Sequence, residues 1–365
     1  MKLTAGREGL LKLLQAVIGV VERRQTMPIL ANVLVIAKDE QIAMTATDLE
    51  VELVGRTEVD VDVPGEITVP ARKLLDICRA LPENTKVSMQ QSGEKLLVSA
   101  GRSRFSLMTL PAEEFPVVED MTTNQAVALS QEDLGLLLDK THFSMAQQDV
   151  RYYLNGVLIE TRGGLVRAVA TDGHRLSMCE VELENTDLPQ KQVIVPRKGV
   201  LELQRLLGGK GELTIELGDN HIRVELGGIR FTSKLIDGRF PDYERVIPTD
   251  TENSFLADRI TLRSALQRTA ILSNEKYRGI RLIISKGGLM LQAHNPEQEE
   301  AEEQVEVDYT GDDIEIGFNV NYLLDALAAI ESEQINFCVV DSNSSCLLRE
   351  PGKDDCKYVV MPMRL

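Results

Sequence analysis

The sequence predicts an α+β protein built from three tandem, similar domains, each with two helices and antiparallel sheets. The main observation is a long internal repeat. The tripeptide Ala-Thr-Asp at 46–48 returns 124 residues later at 170–172, and a weaker version, Ala-His-Asn, follows 123 residues after that at 293–295. Each copy follows an apolar run typical of a strand and precedes a segment typical of a helix. A chain of 365 residues is long enough for about two to three domains.

Two amphipathic helices are predicted in each repeat. In the first helix, three residues spaced i, i+4 and i+7 form one face that recurs in every copy, and the second helix shows a similar face in the first two copies. The residues of the first helix are Leu10, Leu14 and Val17, then Leu134, Leu138 and Thr141, then Leu262, Leu266 and Thr269; those of the second helix are Leu74, Ile77 and Leu81, then Val200, Leu203 and Leu207.

Strands and turns are predicted for the rest of each repeat. The run 213–217 has an apolar residue at every second position, and the following Gly-Asp-Asn is typical of a hairpin turn. Stretches rich in proline and acidic residues at 110–124 and 241–253 are the predicted linkers. We therefore expect domains at 1–120, 128–246 and 250–365.

The composition is that of a globular protein with an acidic surface. The chain is 43% hydrophobic and 27% charged, and its net charge is −17. This charge excludes a protein that coats DNA through its overall charge, although a local basic surface is compatible with it. No apolar run reaches the roughly 18 residues that a membrane-spanning helix needs, and the first residues lack a signal-peptide pattern. We expect a cytoplasmic protein without a membrane segment.

The cysteines favour the same compartment. There are five, they are widely spaced, and no C-x-x-C motif occurs. This pattern predicts a reducing environment with neither a disulfide nor a zinc site. The residues are Cys78, Cys179, Cys338, Cys346 and Cys356.

Basic residues recur at equivalent positions of the second helix. Arg72 corresponds to Lys198, and Arg79 corresponds to Arg205. A cationic helical face inside an acidic molecule suits a polyanion whose phosphates are attracted locally. Solvated helix faces are the alternative interpretation for each of these residues taken singly, but their recurrence favours a functional role.

Two segments are predicted to form an interface between copies of the chain. Unpaired edge strands at the two ends of a tandem array are a liability, and head-to-tail pairing across a twofold axis removes both. The first repeat offers basic residues around an apolar pair, and the last offers an acidic run and another apolar pair. A merely solvated acidic surface remains an alternative for that run. The candidates are Arg102, Arg104, Phe105, Leu107, Ile271, Leu272, Glu297, Glu299 and Glu300.

Catalysis is not predicted. Asp172 and His174 lie close together, but no nucleophile motif accompanies them and the other repeats lack an equivalent set. The four histidines are scattered, so no metal-ligand spacing arises. The glycine-rich run 207–211 follows a helix and lacks the order of a phosphate-binding loop, so it is predicted to be a helix stop. We expect no catalytic residue, metal or cofactor.

The motifs that carry a resemblance lie at 149–156, 170–176, 193–199, 237–243, 271–276, 295–303 and 358–365. They closely resemble the β sliding clamp family of bacterial DNA polymerase III, and the resemblance extends over the whole chain. The resemblance implies a head-to-tail homodimeric ring of six similar domains, with helices lining a hole through which double-stranded DNA passes without sequence preference. It also implies tethering of the replicative polymerase, which confers processivity, and opening by a separate ATP-dependent clamp loader.

The resemblance also implies two sets of site residues. Arg24, Gln148, Tyr153 and Lys198 correspond to DNA-contacting positions, and the repeat adds Arg72, Arg79 and Arg205 to them. The polymerase, the loader and repair proteins would dock short linear peptides in a second site near the C-terminus. Its matching positions are Leu154, Thr171, Gly173, His174, Arg175, Leu176, Pro241, Arg245, Val246, Asn319, Tyr322, Ser345, Val359, Val360, Met361, Pro362, Met363 and Arg364.

Two alternatives stay open at this point. The C-terminal segment could be a last strand packed in a core, which is compatible with a pocket because Val359 and Val360 face opposite sides of a strand. A peptide-binding scaffold that does not encircle DNA is the other. Such a scaffold can be monomeric, whereas a clamp needs the closed dimer.

Overall fold

The computed structural model of the chain describes residues 1–21, 27–118, 121–184, 187–249 and 253–364. Within these ranges it has six α-helices, two in each repeat, and 25 strands, which confirms the predicted α+β class. The helices are α1 (Arg7–Val17), α2 (Ala71–Ala80), α3 (Gln131–Asp139), α4 (Arg197–Leu206), α5 (Arg259–Thr269) and α6 (Val320–Ala329). Short 3₁₀ turns span Ile18–Val20, Pro28–Ala31, Ala112–Glu114, His142–Ser144, Tyr152–Leu154, Tyr243–Val246 and Ala270–Leu272.

The chain divides into two compact units, and the first consists of Met1–Leu134 and Lys198–Leu235. Its strands are β1 (Lys2–Gly6), β2 (Asn32–Lys38), β3 (Gln41–Thr47), β4 (Val51–Glu58), β5 (Asp60–Val63), β6 (Gly65–Pro70), β7 (Lys86–Ser92), β8 (Lys95–Ala100), β9 (Ser103–Met108), β10 (Gln125–Ser130), β15 (Glu212–Leu217), β16 (His221–Leu226) and β17 (Ile229–Lys234). They form two sheets, in the orders β5-β1-β7-β8-β9 and β10-β15-β16-β17-β4-β3-β2-β6. In the larger sheet β17 of the second repeat pairs with β4 of the first, with Phe231 opposite Leu53.

The second unit consists of Gly135–Arg197 and Ile236–Leu365. Its strands are β11 (Gly156–Gly163), β12 (Leu165–Thr171), β13 (Arg175–Glu182), β14 (Leu188–Pro196), β18 (Ser254–Asp258), β19 (Gly279–Ser285), β20 (Gly288–His294), β21 (Glu300–Glu306), β22 (Ile314–Asn319), β23 (Gln334–Val339), β24 (Cys346–Arg349) and β25 (Cys356–Val360). They form sheets in the orders β14-β11-β12-β13-β25-β24-β23-β18 and β21-β20-β19-β22. Here β25 of the last repeat pairs with β13 of the second, with Val359 opposite Leu176.

The predicted helix faces lie in the core. All nine residues of the predicted first-helix face are buried. In the predicted second-helix face, Ile77 and Leu207 are only half-buried, and Leu207 lies just after α4. In two copies a threonine ends the first face, and its hydroxyl donates to a backbone carbonyl four residues earlier. Thr141 donates to the carbonyl of Leu137, and Thr269 donates to that of Ala265. None of the described helices is long and apolar enough to cross a membrane.

One expectation about the cysteines is wrong. Cys179 and Cys356 form a disulfide between β13 and β25, at directly opposed positions of the ladder. Because 177 residues separate the two cysteines, their spacing in the sequence carries no sign of the pairing. Cys78, Cys338 and Cys346 are buried free thiols. Burial raises the pKa of Cys78 to about 11, which keeps that thiol protonated and unreactive at neutral pH.

Candidate functional site

A largely apolar cavity of about 180 Å³ opens beside the start of β13 in the second unit. It brings together nine of the residues assigned to the peptide site: Leu154, Thr171, Gly173, Arg175, Leu176, Pro241, Val246, Val359 and Met361. Four more residues line it that were not assigned to that site, namely Arg151, Tyr153, Asp242 and Tyr243. Tyr153 was assigned to DNA contact instead. Asp242 and Tyr243 lie within or at the end of the recognised segment 237–243, which was the available signal for them.

A tight turn at 171–175 shapes one wall of this cavity. The hydroxyl of Thr171 donates to the carbonyl of Arg175 and accepts from the amide of Gly173. Asp172 Oδ1 accepts from the amides of His174 and Arg175, at 2.9 and 3.1 Å. Gly173 has a φ of +88°, a conformation that favours glycine. The four hydrogen bonds therefore fix the backbone of the turn, and Gly173 places no side chain at the cavity.

Arg175 links this turn to the last repeat. Its guanidinium donates to Asp172 and to Asp325 of α6, and to the carbonyl of Phe143 at 2.6 Å. It also lies 4.6 Å from the ring centre of Tyr322. A guanidinium with this many partners is fixed in place. Arg175 therefore forms a rigid part of the cavity wall.

The C-terminal segment closes another side. The amide of Met361 donates to the carbonyl of His174, and that of Met363 donates to the carbonyl of Gly317, both at 2.8 Å. Val359 belongs to the cluster beside the cavity, while Val360 belongs to the core of the last repeat. One face of β25 therefore packs in the core and the other borders the cavity, while peptide binding there stays a prediction.

The other assigned residues lie outside the cavity lining. His174 and Arg364 are exposed, and Pro362, Met363 and Ser345 are half-buried. Arg245 is exposed and pairs with Asp242. Asn319 caps α6 by accepting from the amide of Asn321. Most of these residues therefore lie near cavity-lining residues in sequence but do not line the cavity themselves.

A buried polar network holds the 3₁₀ turn Tyr243–Val246 against the sheet. The Tyr243 hydroxyl donates to Glu160 Oε2 at 2.5 Å, and Arg167 Nη1 donates to the same hydroxyl at 2.7 Å. Arg167 also pairs with Glu180 at 2.7 Å. Burial raises the pKa of Tyr243 well above its usual range, and the Glu160 carboxylate adds to this effect. Tyr243 is therefore a neutral donor at any physiological pH, and it positions the turn that carries Val246.

The residues assigned to DNA contact have varied surroundings. Gln148 is exposed on a loop, with a φ of +56°. Lys198 forms an ion pair with Asp48. Arg24 lies outside the described residues. None of these observations tests DNA contact, which stays a prediction.

The three positions added from the repeat also make internal contacts. Arg72 donates to the carbonyl of Val21 at 2.6 Å. Arg205 donates to the carbonyls of Gln15 and Ala16 at the last turn of α1, where a cation is favoured. Arg79 is exposed, and its Nη1 lies 3.9 Å from Oδ1 of Asp76. Arg72 and Arg205 thus each make a structural contact with backbone carbonyls, and a role of these three positions in DNA contact stays a prediction.

Each of the four described sheets has two edge strands, and the residues assigned to an interface lie at two of these, β9 and β21. In the first unit β9 pairs only with β8, and in the second β21 pairs only with β20. Arg102 and Arg104 are exposed beside β9, whereas Phe105 is half-buried and Leu107 is buried. Glu297, Glu299 and Glu300 are exposed at β21, Ile271 is 74% exposed and Leu272 is half-buried. These edges carry opposite charge.

Among the described residues, no group of three or more histidine, cysteine or acidic side chains is arranged to hold a metal ion.

Comparison with known proteins gives a consistent result over the whole chain. Three family models match consecutive segments: the DNA polymerase III beta subunit N-terminal domain at 1–119, its central domain at 128–242 and its C-terminal domain at 244–364. The beta sliding clamp of Pseudomonas aeruginosa is 58% identical, and that of Escherichia coli is 50% identical, each with full coverage of both chains.

Solved structures agree with the sequence relatives. The DNA polymerase III subunit beta of Pseudomonas aeruginosa superposes with a TM-score of 0.98 at 57% identity, covering all of both chains. A sliding clamp from the same species bound to griselimycin has a TM-score of 0.97 at 58% identity and the same coverage. The pol III beta of Caulobacter crescentus has a TM-score of 0.95 at 41% identity, again with full coverage.

We predict that Tyr243→Phe lowers the free energy of unfolding by about 1–3 kcal/mol, because the buried Glu160 carboxylate loses a donor without gaining access to water. Urea unfolding of the whole protein, monitored by near-UV circular dichroism, measures the change, because all seven tyrosines lie in the second unit. Tyr152→Phe is the matched control, since Tyr152 is exposed and is expected to shift stability by less than about 0.5 kcal/mol. Equal stability of the two variants would refute the network's role.

Proposed function

This chain belongs to the DNA polymerase III beta subunit family, and we propose from that premise that two copies pair head to tail into a ring that encircles duplex DNA. The beta subunit is a non-catalytic part of the polymerase, and its family consists of sliding clamps. The observation that carries the proposal for this chain is the opposite charge of two of its edge strands. A basic edge at β9 and an acidic edge at β21 are complementary, as a head-to-tail contact requires.

The proposed interface would pair exposed backbone groups and cover an exposed apolar side chain. The edge strands expose backbone donors and acceptors that a partner strand would pair. Ile271 is exposed just after α5, and a partner surface containing the half-buried Phe105 would cover it. The proposed domains of each copy are 1–120, 128–246 and 250–365, which gives six in the ring.

Retention on DNA would then come from topology rather than from tight binding. Arg24, Arg72, Arg79, Gln148, Tyr153, Lys198 and Arg205 are the proposed contact residues, and few phosphate contacts leave the ring free to slide. Contacts to phosphates carry no sequence information, so no sequence preference is expected. The net charge of −17 repels DNA from the rest of the surface.

The cavity beside β13 is the proposed docking site for client proteins. Its apolar lining and small volume suit one or two side chains of a short peptide rather than a folded domain. Met361 at its edge adapts to side chains of different shape, which suits several clients. The proposed clients are the replicative polymerase, the ATP-dependent clamp loader and repair proteins, in the cytoplasm of a bacterium.

We predict that replacing Ile271 and Leu272 together by alanine weakens the dimer at least about a hundredfold. Truncation of one buried aliphatic side chain costs about 2–5 kcal/mol, and both side chains would be buried in the ring. Sedimentation velocity over a dilution series measures the dissociation constant. Ile260→Ala is the control, because Ile260 is also exposed on α5 but lies in its first turn. A dimer unaffected by the double replacement would place the interface elsewhere.

We predict that deletion of residues 361–365 abolishes binding of the host's replicative polymerase while the dimer persists. The deletion removes Met361 from the cavity but leaves β25, the disulfide and both edge strands in place. Surface plasmon resonance with the purified polymerase measures binding, and sedimentation of the same sample reports the dimer. Undiminished polymerase binding by an intact truncated dimer would refute the docking site.

A further inference from the structure

The cavity beside β13, proposed to bind client peptides, is called the client cavity. The turn at 47–51 in the first unit repeats the turn that shapes it. The Thr47 hydroxyl donates to the carbonyl of Val51 at 2.9 Å and accepts from the amide of Leu49 at 3.0 Å. Asp48 Oδ1 accepts from the amides of Glu50 and Val51, at 2.9 and 2.7 Å. Each of these four bonds has its counterpart 124 residues later, in the turn 171–175.

The strand that crosses this turn is also equivalent. The amide of Lys234 donates to the carbonyl of Glu50 at 2.9 Å, as the amide of Met361 does to the carbonyl of His174 at 2.8 Å. The next strand of each sheet is equivalent too. Ser233, just before Lys234, pairs with Ile222, and Val360, just before Met361, pairs with Cys346. His221 and Ser345, which precede those two partners, are therefore equivalent. The scaffold of the client cavity is therefore present twice in the chain.

The second copy of the scaffold also encloses a cavity, of about 330 Å³. Its lining includes Thr47, Leu49, Pro116, Val117, His221 and Lys234. Thr47 and Pro116 have the same residue types as Thr171 and Pro241 of the client cavity. The differences are at the rim, where Leu49 replaces Gly173 and Lys234 replaces Met361.

The leucine at the rim is unusual for its backbone conformation. Leu49 has a φ of +77°, where glycine is favoured and a bulky side chain is strained. Its equivalent, Gly173, adopts nearly the same angle without that cost. The strain places an apolar side chain, 39% exposed, at the mouth of the cavity, next to Val117, which is 65% exposed. An apolar ligand group would cover both.

The ammonium group of Lys234 at the rim is available to bind a ligand. Within the described part of the chain, Lys234 makes no ion pair, and its side chain is exposed. Asp48, the carboxylate of the turn, is already paired with Lys198. The ammonium of Lys234 can therefore form a charge-assisted hydrogen bond with an incoming carboxylate.

We propose that this cavity is a second peptide site, which takes an extended segment carrying an acidic side chain beside an apolar one. The acidic side chain binds Lys234, and the apolar one packs between Leu49 and Val117. The ligand class rests on the proposed function of the client cavity, whose scaffold this site shares. The chemistry of the rim makes its ligands different from those of that cavity.

Affinity selection from a fully randomised hexapeptide library, acetylated and amidated at its ends, tests the proposal on the full-length protein. The selection is run in parallel on the unchanged chain, on Lys234→Glu and on Lys210→Glu, a control at an exposed lysine in another loop. We expect a class of peptides with Asp or Glu beside a large apolar residue that is retained by the control and lost by Lys234→Glu. The same class should be lost by Val117→Asp and retained after deletion of residues 361–365.

Fluorescence anisotropy then measures one synthesised member of that class. Its affinity should fall about tenfold or more when its acidic residue is replaced by the neutral amide, and by a similar factor with Lys234→Glu. Absence of any peptide class that depends on Lys234 would overturn the second site, even if the peptides that depend on residues 361–365 are enriched. Absence of both classes would overturn the proposed client docking as well.

Discussion

Antiparallel pairing between strands of neighbouring repeats is the interaction on which the rest of the structure depends. A single repeat leaves strand edges whose amide and carbonyl groups need partners. The β17–β4 and β25–β13 pairs satisfy these groups and build one eight-stranded sheet in each unit. Both cavities lie beside these pairs, because each is formed where a strand of one repeat crosses the Ala-Thr-Asp turn of the repeat before it. Other strands still lie at sheet edges, and among them β9 and β21 carry opposite charge.

Local patterns predicted the helices well, because burial follows spacing along a helix. Leu262, Leu266 and Thr269 are buried on the face that the i, i+4, i+7 spacing indicated. The long repeat likewise indicated two helices for every third of the chain. The two compact units do not follow those thirds, since sheets combine strands from neighbouring repeats and no local pattern records which strands pair.

Contacts between distant segments account for what the sequence could not predict. The Cys179–Cys356 disulfide and the Tyr243 network join residues brought together only by sheet register. Arg205 shows a different difficulty. A cation at the C-terminal end of a helix and a cation that binds phosphate produce the same sequence pattern, and only the contact with the carbonyls of α1 reveals the first use. The residues of the cavity beside β13 were predicted largely through resemblance, since no periodicity marks them.

Encirclement is the central claim, and the topology of DNA tests it most directly. The protein is loaded onto a nicked circular plasmid by its host's loader with ATP, unbound protein is removed, and half of the sample is cut once to make it linear. The account predicts retention on the circles and loss from the linear molecules, because a ring slides off free ends. Equal retention on circular and linear DNA would mean direct binding and would contradict the account.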